Sequence, residues 1–200
     1  MRILAVADKP APRYYDYYTP GRFDGINLIV ACGDLPREYL EFLVTMSNKP
    51  LFYVRGNHDD SFAEEPPEGC VCIDGRIETF RGVRFLGLGG SYRYRDGRNM
   101  YTEQQMAGRI RRLWLPLRRN GGFDVLVAHA PARHINDTDA PAHRGFACFN
   151  ALIEKYRPAL FLHGHIHKNY GRDIPQRSVY GGTEVINAYE YCIVELPDKA

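Results

Sequence analysis

Acidic, amide and imidazole side chains follow five short apolar runs, at the point where each run ends. In chain order they are Asp8, Gly33-Asp34, Gly56-Asn57-His58-Asp59, His129 and Gly164-His165-Ile166-His167. Carboxylate, amide and imidazole groups form a mixed oxygen and nitrogen set that suits Mn²⁺, Fe, Zn²⁺ or Mg²⁺ better than a thiolate metal. Two ions about 3.5–4 Å apart need a shared carboxylate and several further ligands, and this set supplies about that many.

The apolar runs that precede these residues are predicted to be strands. They cover residues 2–7, 27–31, 50–54, 124–128 and 159–162, and their Val, Ile, Leu and Phe content is typical of strands buried on both faces. Helices are predicted between them at 37–47, 102–115 and 146–156, the second starting with a capping box at Thr102. Alternating strands and helices indicate an α/β fold, in which ligands collect beyond the carboxyl ends of the strands.

The middle and the end of the chain have a different pattern. Residues 71–80, 83–89, 178–187 and 191–196 are predicted to be antiparallel strands, with turn signals at Asp74-Gly75 and Arg81-Gly82. Two sheets, partly parallel and partly antiparallel, fit both patterns. The length of 200 residues predicts a single domain spanning 1–200.

The sequence also bears on the environment of the protein. No apolar run reaches the roughly 18 residues that a membrane span needs, so a membrane partner is not expected. The five cysteines form no Cys-x-x-Cys pair, which favours reduced thiols and a cytoplasmic location.

The order of the motifs resembles that of the calcineurin-like metallophosphoesterases, whose pattern is D-x-H, G-D, G-N-H-D/E, H and G-H-x-H. The second, third and fifth motifs match letter for letter, and the stretch from His129 through Asp137 to His143-Arg144-Gly145 is similar to that of small prokaryotic phosphoesterases. The resemblance implies a four-layer αββα sandwich, with two central mixed β-sheets flanked by helices. It also implies a phosphodiesterase or small-molecule phosphomonoesterase.

The resemblance implies a role for each motif residue. The metal ligands would be Asp8 and His167 at a first ion, Asn57, His129 and His165 at a second, and Asp34 between the two. A hydroxide held between the ions would attack phosphorus, while His58 protonates the leaving group and Asp59 orients the His58 ring. Asn57 would also bind the phosphate through its NH₂ group. Mn²⁺ is the first expectation for both ions, with Fe, Zn, Ni and Mg as alternatives.

One position departs from the family pattern, because Pro10 stands where D-x-H has its histidine. In a first outcome, water or a side chain of the following loop, with Asp16 as the nearest acid, would take the place of the missing ligand at the first site. In a second, the first site would bind its ion weakly, and only when substrate is bound. A single ion at the second site is the third outcome. The alternative function is a metal-binding but catalytically weak interaction module of the same fold. A mononuclear zinc hydrolase using His163, His165 and His167 is a further, less favoured interpretation.

The residues also give hypotheses about substrate. Residues 81–119 hold ten arginines and two acids, a formal +8 against −6 for the remaining 161 residues. This asymmetry indicates either an anionic ligand or a solvated helix face with internal ion pairs. Arg93, Arg95 and Arg98 are the predicted contacts to a small anionic phosphoester, with nucleotides and nucleic acid among the candidates. The Arg and Tyr loop at 13–18 would stack on a base or, as we prefer, pack internally; the oligomeric state stays open.

Overall fold

The computed structural model of the chain describes residues 1–167 and 175–197. The strands are β1 (Arg2–Val6), β2 (Leu28–Ala31), β3 (Leu51–Tyr53), β4 (Val71–Cys72), β5 (Ile77–Phe80), β6 (Val83–Leu88), β7 (Ser91–Tyr92), β8 (Met100–Tyr101), β9 (Val125–Ala128), β10 (Leu160–His163), β11 (Arg177–Tyr180), β12 (Thr183–Asn187) and β13 (Cys192–Glu195). The helices are α1 (Arg37–Ser47), α2 (Glu103–Arg112), α3 (Trp114–Arg119) and α4 (Ala147–Tyr156). Short 3₁₀ helices cover Pro12–Tyr14, Asp60–Ala63 and Pro141–His143.

Two mixed sheets form the centre of the molecule. The first has the order β13-β1-β2-β3-β4 and the second the order β11-β12-β10-β9-β6-β5. Within the first, β1 to β4 run parallel and β13 pairs antiparallel with β1. Within the second, β6, β9, β10 and β12 are parallel, and β5 and β11 are antiparallel edge strands. The five strands that precede the polar motifs all belong to the parallel parts, as the sequence predicts.

Alternation along the strands produces the layers. In β1, Ile3 and Ala5 face a core shared by both sheets, whereas Leu4 and Val6 pack in a second core that contains the buried face of α1. A third core joins the opposite face of the second sheet to α2, α3 and α4. Because successive strand residues point to opposite faces, one apolar run serves two cores. The result is the predicted sandwich of two mixed sheets flanked by helices.

Several predicted elements differ in detail. A break at the predicted turn Asp74-Gly75 separates β4 from β5. However, β4 pairs parallel with β3, so the antiparallel prediction was wrong for β4. The predicted strand 178–187 is a hairpin instead, with Gly181 and Gly182 both at positive φ in the turn. The predicted helix 102–115 becomes α2 and α3, which meet at Leu113.

Other local predictions agree with the structure. The capping box of α2 is present, since the Thr102 hydroxyl accepts from the Gln105 N–H and the Gln105 side chain accepts from the Thr102 N–H. In the loop at 13–18, Tyr14 stacks on Phe23 and Tyr15 packs edge-on against Tyr39, which agrees with internal packing. Of the helices in the described ranges, none combines the length and the apolarity that crossing a bilayer requires.

Candidate metal centre

Four atoms that can bind a cation meet around the His129 ring, at the carboxyl end of β9. Nε2 of His129 lies 3.0 Å from Oδ1 of Asn57, 3.1 Å from Nδ1 of His165 and 3.2 Å from Oδ2 of Asp34. We call these four atoms the acceptor cluster. His129 is fully buried, and Asn57 and His165 are nearly so.

The remaining ring nitrogens show which atoms carry lone pairs. Nδ1 of His129 lies 2.8 Å from the Cys32 carbonyl, and Nε2 of His165 lies 2.6 Å from the Ala142 carbonyl. A carbonyl oxygen can only accept, so these two nitrogens donate, and in the neutral rings the lone pairs sit on Nε2 of His129 and Nδ1 of His165. Backbone carbonyls that orient ligand rings in this way are typical of metal sites.

The spacing of the cluster also fits a divalent ion. Ligands at right angles around an ion at about 2.1 Å lie about 3.0 Å apart, close to the three distances measured from His129 Nε2. The donor set of two imidazoles, a carboxylate and an amide oxygen suits the borderline and hard ions named above. Asp34, His129 and His165 are the group of His, Cys, Asp and Glu side chains whose ligand atoms converge in the described part of the chain.

Electrostatics in the cluster are set by burial and by Asp34. Burial disfavours a charged His129 ring, but the Asp34 carboxylate outweighs it and raises the pKa of His129 to about 9. Burial likewise opposes ionisation of Asp34, yet His129 holds its pKa below the usual range. Burial, followed by the neighbouring His129, lowers the pKa of His165 to about 3. Without a metal, these pKa shifts favour a protonated His129 ring and a neutral His165 ring.

Positive φ angles occur at three of the predicted metal-binding residues. Asp8, Asp34 and His165 all have positive φ, at 65°, 55° and 69°. Non-glycine residues adopt this left-handed conformation at a cost, and they do so most often at functional sites. The turns at the ends of β1, β2 and β10 thus place three predicted ligand side chains on the wall of one cavity.

Close backbone approach explains the glycine that opens the Gly56-Asn57-His58-Asp59 motif. A Cβ atom on Gly56 would lie 2.0 Å from Oδ1 of Asp34 and 2.6 Å from the Asp34 nitrogen. The loops after β2 and β3 pack against each other at this point, so only glycine fits.

The first-site residues lie next to this cluster. The Asp8 carboxylate accepts a hydrogen bond from the His165 N–H, at 3.0 Å from each oxygen, and its Oδ1 lies 3.7 Å from Nε2 of His167. The Asp8 side chain is fully buried, whereas that of His167 is partly exposed. Pro10 lies nearby on the wall of a cavity that also contains Asp8, Asp34 and His58.

His58 and Asp59 are placed differently. His58 is exposed and lines two adjoining cavities, and its N–H donates to Oδ1 of Asp34 at 2.8 Å. Asp59 is buried, and its Oδ2 accepts from the N–H groups of Asp34 and Gly56 at 2.8 and 2.7 Å. In the described part of the chain no hydrogen bond joins Asp59 to the His58 ring, and the hydrogen bonds of Asp59 tie two loops together instead. The ring-orienting role of Asp59 stays a prediction. Burial, followed by the Asp34 charge, raises the pKa of Asp59 to about 6.

One cavity of about 230 Å³, the site cavity, brings most predicted residues together. Six of them line it: Asp8, Asp34, Asn57, His58, His165 and His167. Tyr94 and His143 also line it, and sequence reasoning assigned neither of them a role. The signals for both were weak: Tyr94 lies in the arginine-rich loop, and His143 is part of the stretch that carried the family resemblance. Burial and then the nearby His167 imidazole lower the pKa of His143.

The predicted arginine contacts lie outside the described lining of the site cavity. Arg98 forms an ion pair with Glu64 at 3.0 Å, and a guanidinium nitrogen of Arg93 is 3.5 Å from the Met100 carbonyl. The guanidinium of Arg95 lies over the Tyr94 ring, 5.5 Å from its centre. Two more arginines of this stretch, Arg84 and Arg109, also form ion pairs, with Asp124 and Asp74. Part of the +8 charge is therefore neutralised within the molecule.

The histidine triad hypothesis receives no support from the geometry. His163 is fully buried, its Nδ1 is 2.9 Å from the Gly164 carbonyl, and its ring packs on Phe161. Of the three histidines, His165 belongs to the converging group found among the described residues, and His163 and His167 do not. Asp16, the nearest acid to Pro10 in the following loop, is exposed and does not belong to the described walls of either cavity.

Comparisons with known proteins bear on both the fold and the motifs. Among solved structures, the crystal structure of TT1561 of Thermus thermophilus covers 94% of this chain and 89% of its own, with a TM-score of 0.63 and 16% identity, which shows a shared fold. The crystal structure of Chaetomium thermophilum Vps29 covers 98% of this chain and 81% of its own, with a TM-score of 0.45 and 13% identity. Curated protein sequences give no significant match. The family model described as calcineurin-like phosphoesterase matches residues 9–169, most of the chain and nearly all of the motifs, and the chain therefore belongs to that family.

Proposed function

We propose that the protein is a metal-dependent phosphoesterase that hydrolyses a phosphodiester or a small phosphomonoester. The observation that carries the proposal is the acceptor cluster, in which Nε2 of His129 and Nδ1 of His165 face each other beside a carboxylate and an amide oxygen. Side chains arranged in this way repel one another unless a cation or a proton lies between them. Bound divalent ions would activate water and polarise the phosphoryl group.

The chain's own residues would supply the remaining functions. His58 is the exposed imidazole at the mouth of the site cavity, where it can donate a proton to the departing alkoxide. Asn57 can present its oxygen to the ion and its NH₂ to a phosphate oxygen. Asp59 is proposed to act indirectly, by holding the loops that carry Asp34 and Gly56.

Two ions are proposed, with Mn²⁺ as the first expectation. Asp34, Asn57, His129 and His165 would hold one, and Asp8, His167 and a bridging Asp34 would hold the other. The second set offers fewer ligands because Pro10 supplies none, so this ion would bind more weakly.

The substrate is proposed to be a small anionic phosphoester, with nucleotides as the first class to test. Tyr94 is the aromatic side chain on the cavity wall, and aromatic rings stack on bases. Arg93, Arg95 and Arg98 lie in the same loop as Tyr94, outside the described cavity lining, and would attract the anion. A cytoplasmic location is proposed because all five cysteines are free thiols.

The test is hydrolysis of bis-p-nitrophenyl phosphate with Mn²⁺. We expect His58→Ala to lower kcat by roughly 10²–10⁴-fold, as for loss of a general acid, with unchanged Mn²⁺ affinity. His134→Asn is the matched control, because His134 is an exposed histidine whose left-handed φ of 64° asparagine tolerates. An unchanged kcat in His58→Ala would overturn the role of His58 as general acid. Mn²⁺ binding without hydrolysis of any mono- or diester in a panel would favour the interaction module that Pro10 suggests.

A further inference from the structure

His143 is a histidine of the site cavity that has no role in the proposed function. It ends the 3₁₀ helix Pro141–His143 and is half-buried. Its ring centre lies 5.6 Å from that of His165, and it shares the cavity wall with Asp8 and His167. The ring therefore lies in the same cavity as the residues predicted for the first site.

The segment that carries His143 is attached to the rest of the molecule at several points. The Ala142 carbonyl accepts from His165 Nε2 at 2.6 Å, so the residue before His143 is bonded directly to a ligand ring. Asp137 accepts from Arg133 at 2.7 Å and from the Gly145 N–H at 3.0 Å, which closes the base of the loop. The His143 N–H donates to the Ala140 carbonyl at 2.9 Å. These bonds keep the imidazole at the cavity wall.

The first metal site lacks one donor, and its immediate neighbours do not provide it. Pro10 has no ligand atom in its side chain, and Asp16 is outside the described cavity lining. Lys9 points elsewhere, because its ammonium group pairs with Glu190 at 2.8 Å.

We propose that His143 supplies the imidazole ligand that position 10 cannot, and so completes the first metal site from a different loop. The inference rests on the proposed function, since it assumes that the family's two ions bind here. The site would then hold its first ion with Asp8, Asp34, His167 and His143. With a ligand at residue 143, the affinity of the first site for its ion would also depend on the conformation of the loop that Asp137 closes.

The experiment counts bound Mn²⁺ by electron paramagnetic resonance and calorimetry in five proteins: wild type, His143→Ala, His143→Gln, Pro10→His/His143→Ala and the control His134→Asn. Wild type and control are expected to bind about two ions. His143→Ala is expected to keep the tighter ion and to weaken the other by roughly 10- to 100-fold or more. The double variant, which restores the D-x-H pattern, is expected to regain the second ion. The thermal midpoint of each metal-free protein shows whether it is folded, and His143→Gln, which keeps a polar side chain, serves as a second variant.

The outcomes separate the inference from the proposed function. If His143→Ala and His143→Gln bind both ions as tightly as wild type, or lose both ions together, His143 is not the first-site ligand. If wild type binds a single ion and the His143 variants bind it equally well, the inference also fails, while the phosphoesterase proposal stands. If folded wild type takes up no divalent ion, the proposed function itself is wrong.

Discussion

Nε2 of His129 and Nδ1 of His165 lie 3.1 Å apart, and the other nitrogen of each ring is bonded to a backbone carbonyl. Neither ring can rotate its lone pair away without losing its hydrogen bond to the backbone carbonyl. A buried polar group without a hydrogen-bond partner is costly. This arrangement favours a positive charge between the two rings. In the absence of metal that charge is the proton held by His129, whose pKa is raised to about 9.

The first prediction is that metal binding displaces this proton. At pH 7 the metal-free ring is protonated, because its pKa of about 9 lies well above the solution pH, and an ion requires the neutral Nε2. We expect about one proton to be released per tightly bound Mn²⁺ at pH 7 and close to none above pH 10. Calorimetric titration in buffers of different ionisation enthalpy measures this number. A release of zero at pH 7 would contradict the proposed charge on His129.

The second prediction concerns Gly56. In Gly56→Ala the new methyl would lie 2.0 Å from Oδ1 of Asp34, so the Asp34 carboxylate must move. We expect loss of Mn²⁺ binding and a fall of roughly 1–3 kcal/mol in the free energy of unfolding, measured by calorimetry and urea denaturation. The matched control is Gly108→Ala in α2, whose methyl would meet only Arg111 Nη2 at 3.8 Å and should leave both properties intact or raise stability slightly. Equal Mn²⁺ binding and equal free energies of unfolding in the two variants would contradict the close approach of the loops after β2 and β3.

The convergence of the polar residues at the strand ends could be predicted from the sequence because two simple rules apply to them. Short apolar runs indicated buried strands, and parallel strands place their carboxyl ends at one edge. Asp34, His129 and His165 needed nothing further, since each closely follows such a run. Helix α1 was predicted with the bounds that the structure has.

The role of Asp59 and the positions of Tyr94 and His143 could not be predicted in the same way. Asp59 lies in the loop after β3 and accepts a hydrogen bond from Asp34 in the loop after β2, as well as one from Gly56. The local sequence does not indicate which backbone N–H groups will lie near its carboxylate. Tyr94 and His143 lie in irregular segments where side-chain direction follows no period. The pairing of Arg98 with Glu64 similarly depends on where two loops meet, which the charge pattern alone does not fix.

The third prediction distinguishes the two roles considered for Asp59. Asp59→Ala leaves the N–H groups of Asp34 and Gly56 without their acceptor, at roughly 1–3 kcal/mol for each buried group, and loosens the loops around the metal. Asp59→Asn keeps an acceptor oxygen and removes a carboxylate whose pKa is already raised to about 6 by burial, so its stability and Mn²⁺ affinity should stay close to wild type. Urea denaturation and metal titration of both variants test this. A role in orienting His58 would instead lower kcat equally in both variants and leave stability and metal affinity unchanged.

The fourth prediction concerns substrate contacts at the cavity wall. Tyr94 lines the cavity, and the Arg95 guanidinium lies over its ring, whereas Arg98 is held by Glu64. If a nucleotide base stacks on Tyr94, Tyr94→Ala should raise KM for a nucleotide diester by about tenfold, given that a stacked base is worth about 1–3 kcal/mol. Tyr94→Phe, which keeps the ring, should not change KM, and Arg95→Ala should raise it more than Arg98→Ala. Steady-state kinetics with each variant measure these ratios, and an unchanged KM in Tyr94→Ala would show that this wall does not contact the substrate.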